Sequence, residues 1–432
     1  MNADNDTRTT PGSVTRRDFL RTSTAAVVAG TVASQLAPAV YAQGDDVIRV
    51  GLVGCGGRGT GAAAQALTAD PNTQLVAMAD AFADRLEGSL NGLKGTEVAD
   101  RVLVDDAHKF VGMDAYQSVI DSDVDVVLLC TPPGFRPMHL RACVDAGKHV
   151  FAEKPVATDA PGVRSVLESA EAAKAKNLTI LSGLCWRYET GMQETIRRIQ
   201  DGQIGRVIAV ESTRFGSGVG KGVVREPGWS GMYYQVRNWY YYAWLSGDFN
   251  VEQFVHELDK IAWMLGEYPS SCLCSGGRQS RTGPEYGHIY DHFAAVYDFP
   301  SGVKYFASTR HQPGDGKHFD FAMGTDGNCD LMGYAITGKN PWSLGQGITQ
   351  MHQLEQNALF AALRKGEIIN DGEFMAKSTL MGIMARMSAY TGKTLTWDEA
   401  LNSQENLLPA DLSLDADVPE PPVAVPGITQ FR

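Results

Sequence analysis

A chain of 432 residues is longer than one small core can organise, and it predicts two globular domains behind any leader. Its 44% hydrophobic and 20% charged residues are those of a folded soluble protein and exclude wholesale disorder. A formal net charge of −12 argues against nucleic acid or anionic membrane as a partner, because both require a basic surface.

The first element in chain order is a targeting segment. Arg16-Arg17 is followed by Phe19-Leu20, an uncharged Ala/Val/Thr-rich stretch from Thr22 to about Val40, and the small-residue site Val40-Tyr41-Ala42. Basic, apolar and small in that order is the pattern of a secretory signal, and the arginine pair resembles a twin-arginine signal. The stretch carries Thr, Ser and Gly throughout and would span a bilayer poorly. Residues 1–42 are therefore expected to be removed, leaving a periplasmic or extracytoplasmic mature form with no membrane span. Proteins sent by this route fold before export, so the seven cysteines need not form a disulfide framework. None forms a CxxC pair, and Cys272 and Cys274 read as buried thiols rather than a metal or redox motif.

Residues 47–53 then form an apolar strand that runs into Gly54-Cys55-Gly56-Gly57-Arg58-Gly59 and a small-residue helix start. This is the GxGxxG arrangement in the strand-to-helix context it needs. Gly54 permits the tight turn, Gly56 and Gly57 let the backbone approach a pyrophosphate, and Gly59 allows close helix packing, with Arg58 beside them. A second strand over residues 73–79 ends at Asp80, which is placed to accept hydrogen bonds from a ribose and to repel a 2′-phosphate. NAD is thus the expected cofactor; Arg58 and Arg85 keep NADP open. Strands over 124–130 and 149–152 end in Thr131-Pro132-Pro133 and Glu153-Lys154-Pro155, with helices over 138–146 and 163–174 and a strand over 179–184. The alternation predicts a doubly wound parallel Rossmann sheet over residues 43–185.

The glycine loop with Asp80, Thr131-Pro132-Pro133 and Glu153-Lys154-Pro155 together resemble the glucose–fructose oxidoreductase / inositol dehydrogenase / MocA (Gfo/Idh/MocA) family across nearly all of the mature chain. The Glu-Lys-Pro signature is the specific part; the glycine loop is not. The resemblance implies that Lys154 lies by the nicotinamide and substrate, that Thr131, Pro132 and Glu153 border the cofactor, and that Pro155 carries an unusual backbone. It also implies an α+β second domain over 186–432, built on a mostly antiparallel open sheet that pairs subunits into a homodimer or homotetramer. Strands over 205–213, 294–299 and 303–308, with a turn at Pro300-Ser301-Gly302, suit that domain. The helical spacing of 378–390 predicts a helix packed back on the nucleotide domain.

Glu252 and His256 are four apart, so one helix would turn both to the same face. The resemblance makes His256 the acid–base group, with Glu252 orienting it or binding substrate; the family usually has Asp at the Glu252 position. Oxidising a secondary alcohol needs a base for the O–H proton while hydride leaves carbon, and a nearby Lys can steady the alkoxide. Arg187 and Tyr188, just past the last Rossmann strand, are candidate substrate contacts. His288, Tyr290 and His292 alternate as on a strand face, beside Asp291, and serve substrate hydroxyls, a metal or structure alone; no metal site is assigned. The aromatic run from Trp239 to Trp244 reads equally as a sugar-stacking surface and as core or subunit interface. The expected activity is NAD(P)-dependent oxidation or reduction of a sugar, glycoside or polyol hydroxyl. Free nicotinamide nucleotide is scarce outside the cytoplasm, so the cofactor is expected to be held tightly and recycled in place. The alternatives are an NAD-dependent glycosidase or lyase working by transient sugar oxidation, and a non-catalytic dinucleotide-binding protein.

Overall fold

The computed structural model describes residues 46–220, 222–345 and 350–432; the signal expected over 1–42 lies outside them. The first half alternates strand and helix: β1 (Ile48–Val53), α1 (Gly57–Ala69), β2 (Thr73–Asp80), α2 (Ala83–Lys94), β3 (Lys109–Val111), α3 (Ala115–Asp121), β4 (Val126–Leu129), α4 (Arg136–Asp145), β5 (His149–Ala152), α5 (Ala160–Ala175) and β6 (Ile180–Ser182). The strands form one all-parallel sheet in the order β3-β2-β1-β4-β5-β6. That is the Rossmann order, and the order in which strands are added reverses between β1 and β4, where such sheets bind ligands.

Both sheet faces are covered, which is why the strands read as near-continuous apolar runs. Ile48, Val50 and Leu52 pack with Ala62, Ala63 and Ala66 of α1 on one face. Val53, Ala77, Val127 and Leu129 pack with Leu140 and Val144 of α4 and Val163 of α5 on the other. Gly51 has no room for a side chain: a Cβ there would lie 2.4 Å from Val119 Cγ1.

After α6 (Thr190–Gln200) comes the second sheet. Its strands are β7 (Val207–Gly216), β8 (Ser271–Gly277), β9 (His292–Asp298), β10 (Lys304–His311), β11 (Lys317–Gly324), β12 (Gly327–Asp330), β13 (Ala335–Gly338), β14 (Trp342–Ser343) and β15 (Leu395–Thr396). They lie in the order β14-β13-β12-β11-β7-β10-β9-β8-β15. Only β7 and β10 pair in parallel; the other seven pairings are antiparallel. The turn at 300–302 joins β9 to β10 in register, Lys304 opposite Asp298. Between β7 and β8 the chain folds into α7 (Gly231–Arg237), α8 (Ala243–Ser246), α9 (Phe249–Glu252) and α10 (Val255–Leu265); α11 (Met351–Lys365) and α12 (Gly372–Thr391) lie between β14 and β15, and α13 (Trp397–Asn402) follows β15. The nearly all-round burial of α12 has a simple cause: it is packed between α5 of the Rossmann domain and β8 of the second sheet. The helix expected over 378–390 therefore does return to the nucleotide domain.

Two local expectations differ from the structure. Glu252 and His256 do not share one helix: α9 ends at Glu252, Gln253 and Phe254 form a turn, and α10 starts at Val255. His288, Tyr290 and His292 do not share a strand face, because β9 begins only at His292. The reason is Asp291, whose buried carboxylate accepts the backbone N–H groups of Gln279, Ser280 and Arg281 and turns the chain there.

Candidate active site

The site starts with the turn leaving β1. Gly54 takes φ +99° and approaches the β4 end so closely that a Cβ would meet the Cys130 carbonyl carbon at 2.6 Å. A Cβ on Gly59 would lie 1.9 Å from the Gly54 carbonyl oxygen, so α1 can pack onto the turn only without a side chain there. Gly56 and Gly57 instead face open space. The first turn of α1 has no side-chain cap and no acidic residue, which leaves its amides and the positive end of its dipole free for an anion. Asp80, at the end of β2, lies against this loop. Its Oδ2 accepts the Cys55 N–H at 2.7 Å and its Oδ1 the Phe82 N–H at 3.0 Å. Burial raises the Asp80 pKa, and the two amides oppose that rise.

These groups line a cleft of about 520 Å³ over the C-terminal ends of β1, β2, β4 and β5. It is also lined by Thr131, Pro132, Glu153 and Lys154 from the strand ends, and by Arg214, Glu252, Gln253 and His256 from the second domain. The uncapped helix end, the open space at Gly56 and Gly57, and the carboxylate at the second strand suit a dinucleotide with its pyrophosphate on α1 and its adenosine ribose towards Asp80.

At the other end of the cleft, Lys154 Nζ donates to Glu252 Oε1 at 3.0 Å and to the Glu252 carbonyl oxygen at 2.7 Å. The peptide bond from Lys154 to Pro155 is cis. Both partners of the ion pair are largely buried. Glu252 Oε2 and His256 Nδ1 are buried without a hydrogen-bond partner. Burial, followed by the Lys154 charge, pushes His256 well below its ordinary value, so its imidazole is neutral and proton-accepting at neutral pH. Arg136, fully buried, donates to the carbonyl oxygens of Thr131 and Pro155 and so ties the two signature segments together.

The chain belongs to the Gfo/Idh/MocA family of oxidoreductases. Residues 48–181 match "Oxidoreductase family, NAD-binding Rossmann fold", and residues 192–328 match "GFO/IDH/MocA C-terminal domain". It is 30% identical over 224 residues to an inositol 2-dehydrogenase of Rhizobium meliloti, covering 52% of this chain and 57% of that one. It is 25% identical over 193 residues to a 2,7-anhydro-N-acetylneuraminate hydratase of Escherichia coli, covering 44% and 47%. The match thus spans about half the length of these curated relatives. Among solved structures, an aldose–aldose oxidoreductase from Caulobacter crescentus shares the fold with a TM-score of 0.61 at 17% identity, over 81% of this chain and 99% of that one. The WlbA dehydrogenase of Bordetella pertussis, solved with NADH and UDP-GlcNAcA, gives 0.60 at 18%, over 81% and 98%.

Within this family member, the residues singled out from sequence divide into two groups. Gly54, Gly56, Gly57, Arg58, Gly59, Asp80, Thr131, Pro132, Glu153, Lys154, Glu252 and His256 all line the cleft. Four expected substrate contacts do not. Arg187 grips Asp259 through Nε and Nη2 at 2.9 Å and stacks 3.7 Å over Phe374. The Tyr188 hydroxyl donates to Asp371 at 2.6 Å. His288 is buried beside Tyr242, and His292 Nδ1 faces Asp291 at 2.8 Å. Each serves local packing or pairing, a role that adjacency in the chain cannot exclude.

Arg58 lines the cleft but is also held by acidic side chains. Its Nε faces Glu153 at 2.7 Å and its Nη2 faces Glu355 at 3.9 Å, so its charge is spent on buried carboxylates rather than aimed at a ribose phosphate. The one grouping of metal-ligand types among the described residues, Cys185 with His352 and Glu355, lies against this guanidinium. Arg58 already places positive charge beside that carboxylate. In the aromatic run, Trp239 lines the cleft, whereas Tyr240, Tyr241, Tyr242 and Trp244 are core.

Arg214, Gln253, Arg237 and His352 also line the cleft and carried no signal in the sequence. Arg214 shows why. It comes from β7, and its direction is set by Glu257, 43 residues on, and by Gln253, whose Oε1 accepts from Nη2 at 2.9 Å.

Proposed function

We propose that this protein oxidises or reduces a secondary hydroxyl of a sugar, glycoside or polyol with a tightly held, recycled NAD(H). The observation that carries the reading is the meeting of Lys154, Glu252 and His256 at the nicotinamide end of a cleft whose other end suits a dinucleotide. When bound, NAD supplies the hydride acceptor. His256 takes the hydroxyl proton in the oxidative direction and returns it in the reductive one, and its depressed pKa keeps it ready to accept. Lys154 steadies negative charge on the reacting oxygen, and Glu252 fixes the ammonium in place. Arg214 and Gln253 present donors and an acceptor for further hydroxyls. The names of relatives support a polyol or sugar substrate, namely the inositol 2-dehydrogenase and the aldose–aldose oxidoreductase. A repelled 2′-phosphate favours NAD, although Arg85 is a cation near Asp80. Removal of residues 1–42 and twin-arginine export, rested on the sequence pattern, make retention of the cofactor a requirement. A homodimer or homotetramer through the open sheet is part of the same reading.

The mature form from Gln43 onward is purified, denatured in acid, and the released small molecules are identified by mass. Near-stoichiometric NAD or NADH supports the self-contained cycle; an empty protein refutes tight retention. The preloaded protein is then offered sugars and polyols. Substrate turnover with a change in nicotinamide absorbance marks net oxidoreduction. Product formation with the nicotinamide unchanged marks instead a redox-neutral elimination, a reading favoured by the hydratase among the relatives.

A further inference from the structure

Arg237 stands at the end of α7, in the second domain, and reaches to the first turn of α2 in the Rossmann domain. Its Nη1 and Nη2 donate to the two carboxylate oxygens of Asp84 at 2.8 and 2.7 Å, across 153 residues of chain. Its guanidinium lies 3.7 Å over the Phe82 ring, and the Tyr233 hydroxyl accepts from Nη2 at 3.0 Å. Phe82 and Tyr233 meet edge to face at 5.0 Å, so the arginine is seated in an aromatic corner and is only 17% exposed.

An exposed ion pair is usually weak, because two long side chains must be ordered to form it. Here the ordering is supplied by the aromatic corner, and the planar fork matches the carboxylate bidentately. The helix carrying Arg237 is itself tied down from behind. Met232 N–H donates to the Ala416 carbonyl at 3.0 Å, and Gln235 Nε2 to the Val418 carbonyl at 3.0 Å. Gln235 Oε1 accepts from Trp244 Nε1 at 2.7 Å.

Arg237, Phe82, Arg85 and Asp80 together line the same end of the cleft. A ligand whose ribose lies at Asp80 leaves past Phe82 and the first turn of α2, which carries Asp84, and Arg237 bridges that turn to α7. We propose that the Arg237–Asp84 pair, seated on Phe82, latches the second domain over the adenosine end of the dinucleotide site and sets how slowly the cofactor leaves. The inference rests on the cleft being a dinucleotide site.

The test is the release rate of NADH from the mature protein, followed by nicotinamide fluorescence during displacement by excess NAD. It compares the wild type with Asp84→Asn, Arg237→Gln and the double variant. Asp84 is exposed, so Asp84→Asn leaves the core untouched should Arg237→Gln loosen α7. Each single variant is expected to release NADH about tenfold faster, and the double variant no faster than the singles. Unchanged release from Asp84→Asn, or accelerations that multiply in the double variant, would overturn the latch. Failure of the wild type to bind NADH at all would overturn the dinucleotide reading instead, and with it the proposal.

Discussion

Lys154 Nζ lies 3.0 Å from Glu252 Oε1 and 2.7 Å from the Glu252 carbonyl oxygen, which ties the end of a Rossmann strand to the end of a short helix 98 residues later. The ammonium therefore has a fixed address between the two domains. Its partner's second oxygen remains buried and unpaired, and so open to a substrate donor. Two buried charges in this geometry are worth keeping only together, since removing one leaves the other uncompensated.

Lys154→Ala is accordingly expected to lower the rate of hydride transfer by about 10²–10⁴-fold, the range for removing a positioned acid–base or charge-stabilising group. Glu252→Gln should cost less, about tenfold, by loosening the ammonium. NADH titration should show dinucleotide binding retained in both, because the glycine loop is untouched. Wild-type single-turnover rates in Lys154→Ala would remove the assigned role.

His256 gives a pH prediction with a definite sign. Its pKa is depressed from the ordinary 6.5 by burial first and by Lys154 second. The neutral form is the base, so oxidation should persist towards alkaline pH and decline as pH falls through the depressed value. The acid limb of kcat/KM is expected below pH 6.5. His256→Gln should lose that limb and fall about a hundredfold in rate. A limb that survives unchanged in the variant belongs to another group.

The glycines separate folding from binding. A Cβ at position 59 has nowhere to go, so Gly59→Ala should lower stability by about 1–3 kcal/mol in thermal or urea unfolding. A Cβ at position 57 meets open space. Gly57→Ala should therefore melt like the wild type while binding NADH at least about tenfold more weakly, because the methyl occupies the approach to the phosphates. Equal Kd values for that variant and the wild type would place the pyrophosphate elsewhere.

Asp80 is the residue expected to govern the choice between NAD and NADP. Replacing it with Ala should reduce the ratio of kcat/KM for NAD to that for NADP by about tenfold or more, since the repulsion of a 2′-phosphate is lost. Both values should fall somewhat, because the Cys55 and Phe82 amides lose their acceptor. An unchanged ratio would show that Arg85 or another group selects the cofactor.

The sequence determined, by itself, whatever depends on near neighbours. An apolar strand, a glycine turn and a small-residue helix start have their geometry within about fifteen residues, and so the Rossmann alternation, the glycine loop and Asp80 were legible from spacing. Glu153-Lys154 was legible for the same reason, as a polar pair at the end of a buried strand. His256, expected from sequence as the acid–base group, lines the cleft, although the helix that suggested it breaks at Gln253 and Phe254. Only the tertiary structure decided which polar side chains outside those segments face the cleft. Arg187 stood out in the sequence and Arg214 did not, yet Arg187 is turned inward by Asp259 and Arg214 towards the site by Glu257 and Gln253. Arg237 meets its carboxylate 153 residues away. A charged side chain points where its counter-charge and its desolvation allow, and for these residues that partner lies on a distant element which only folding brings near.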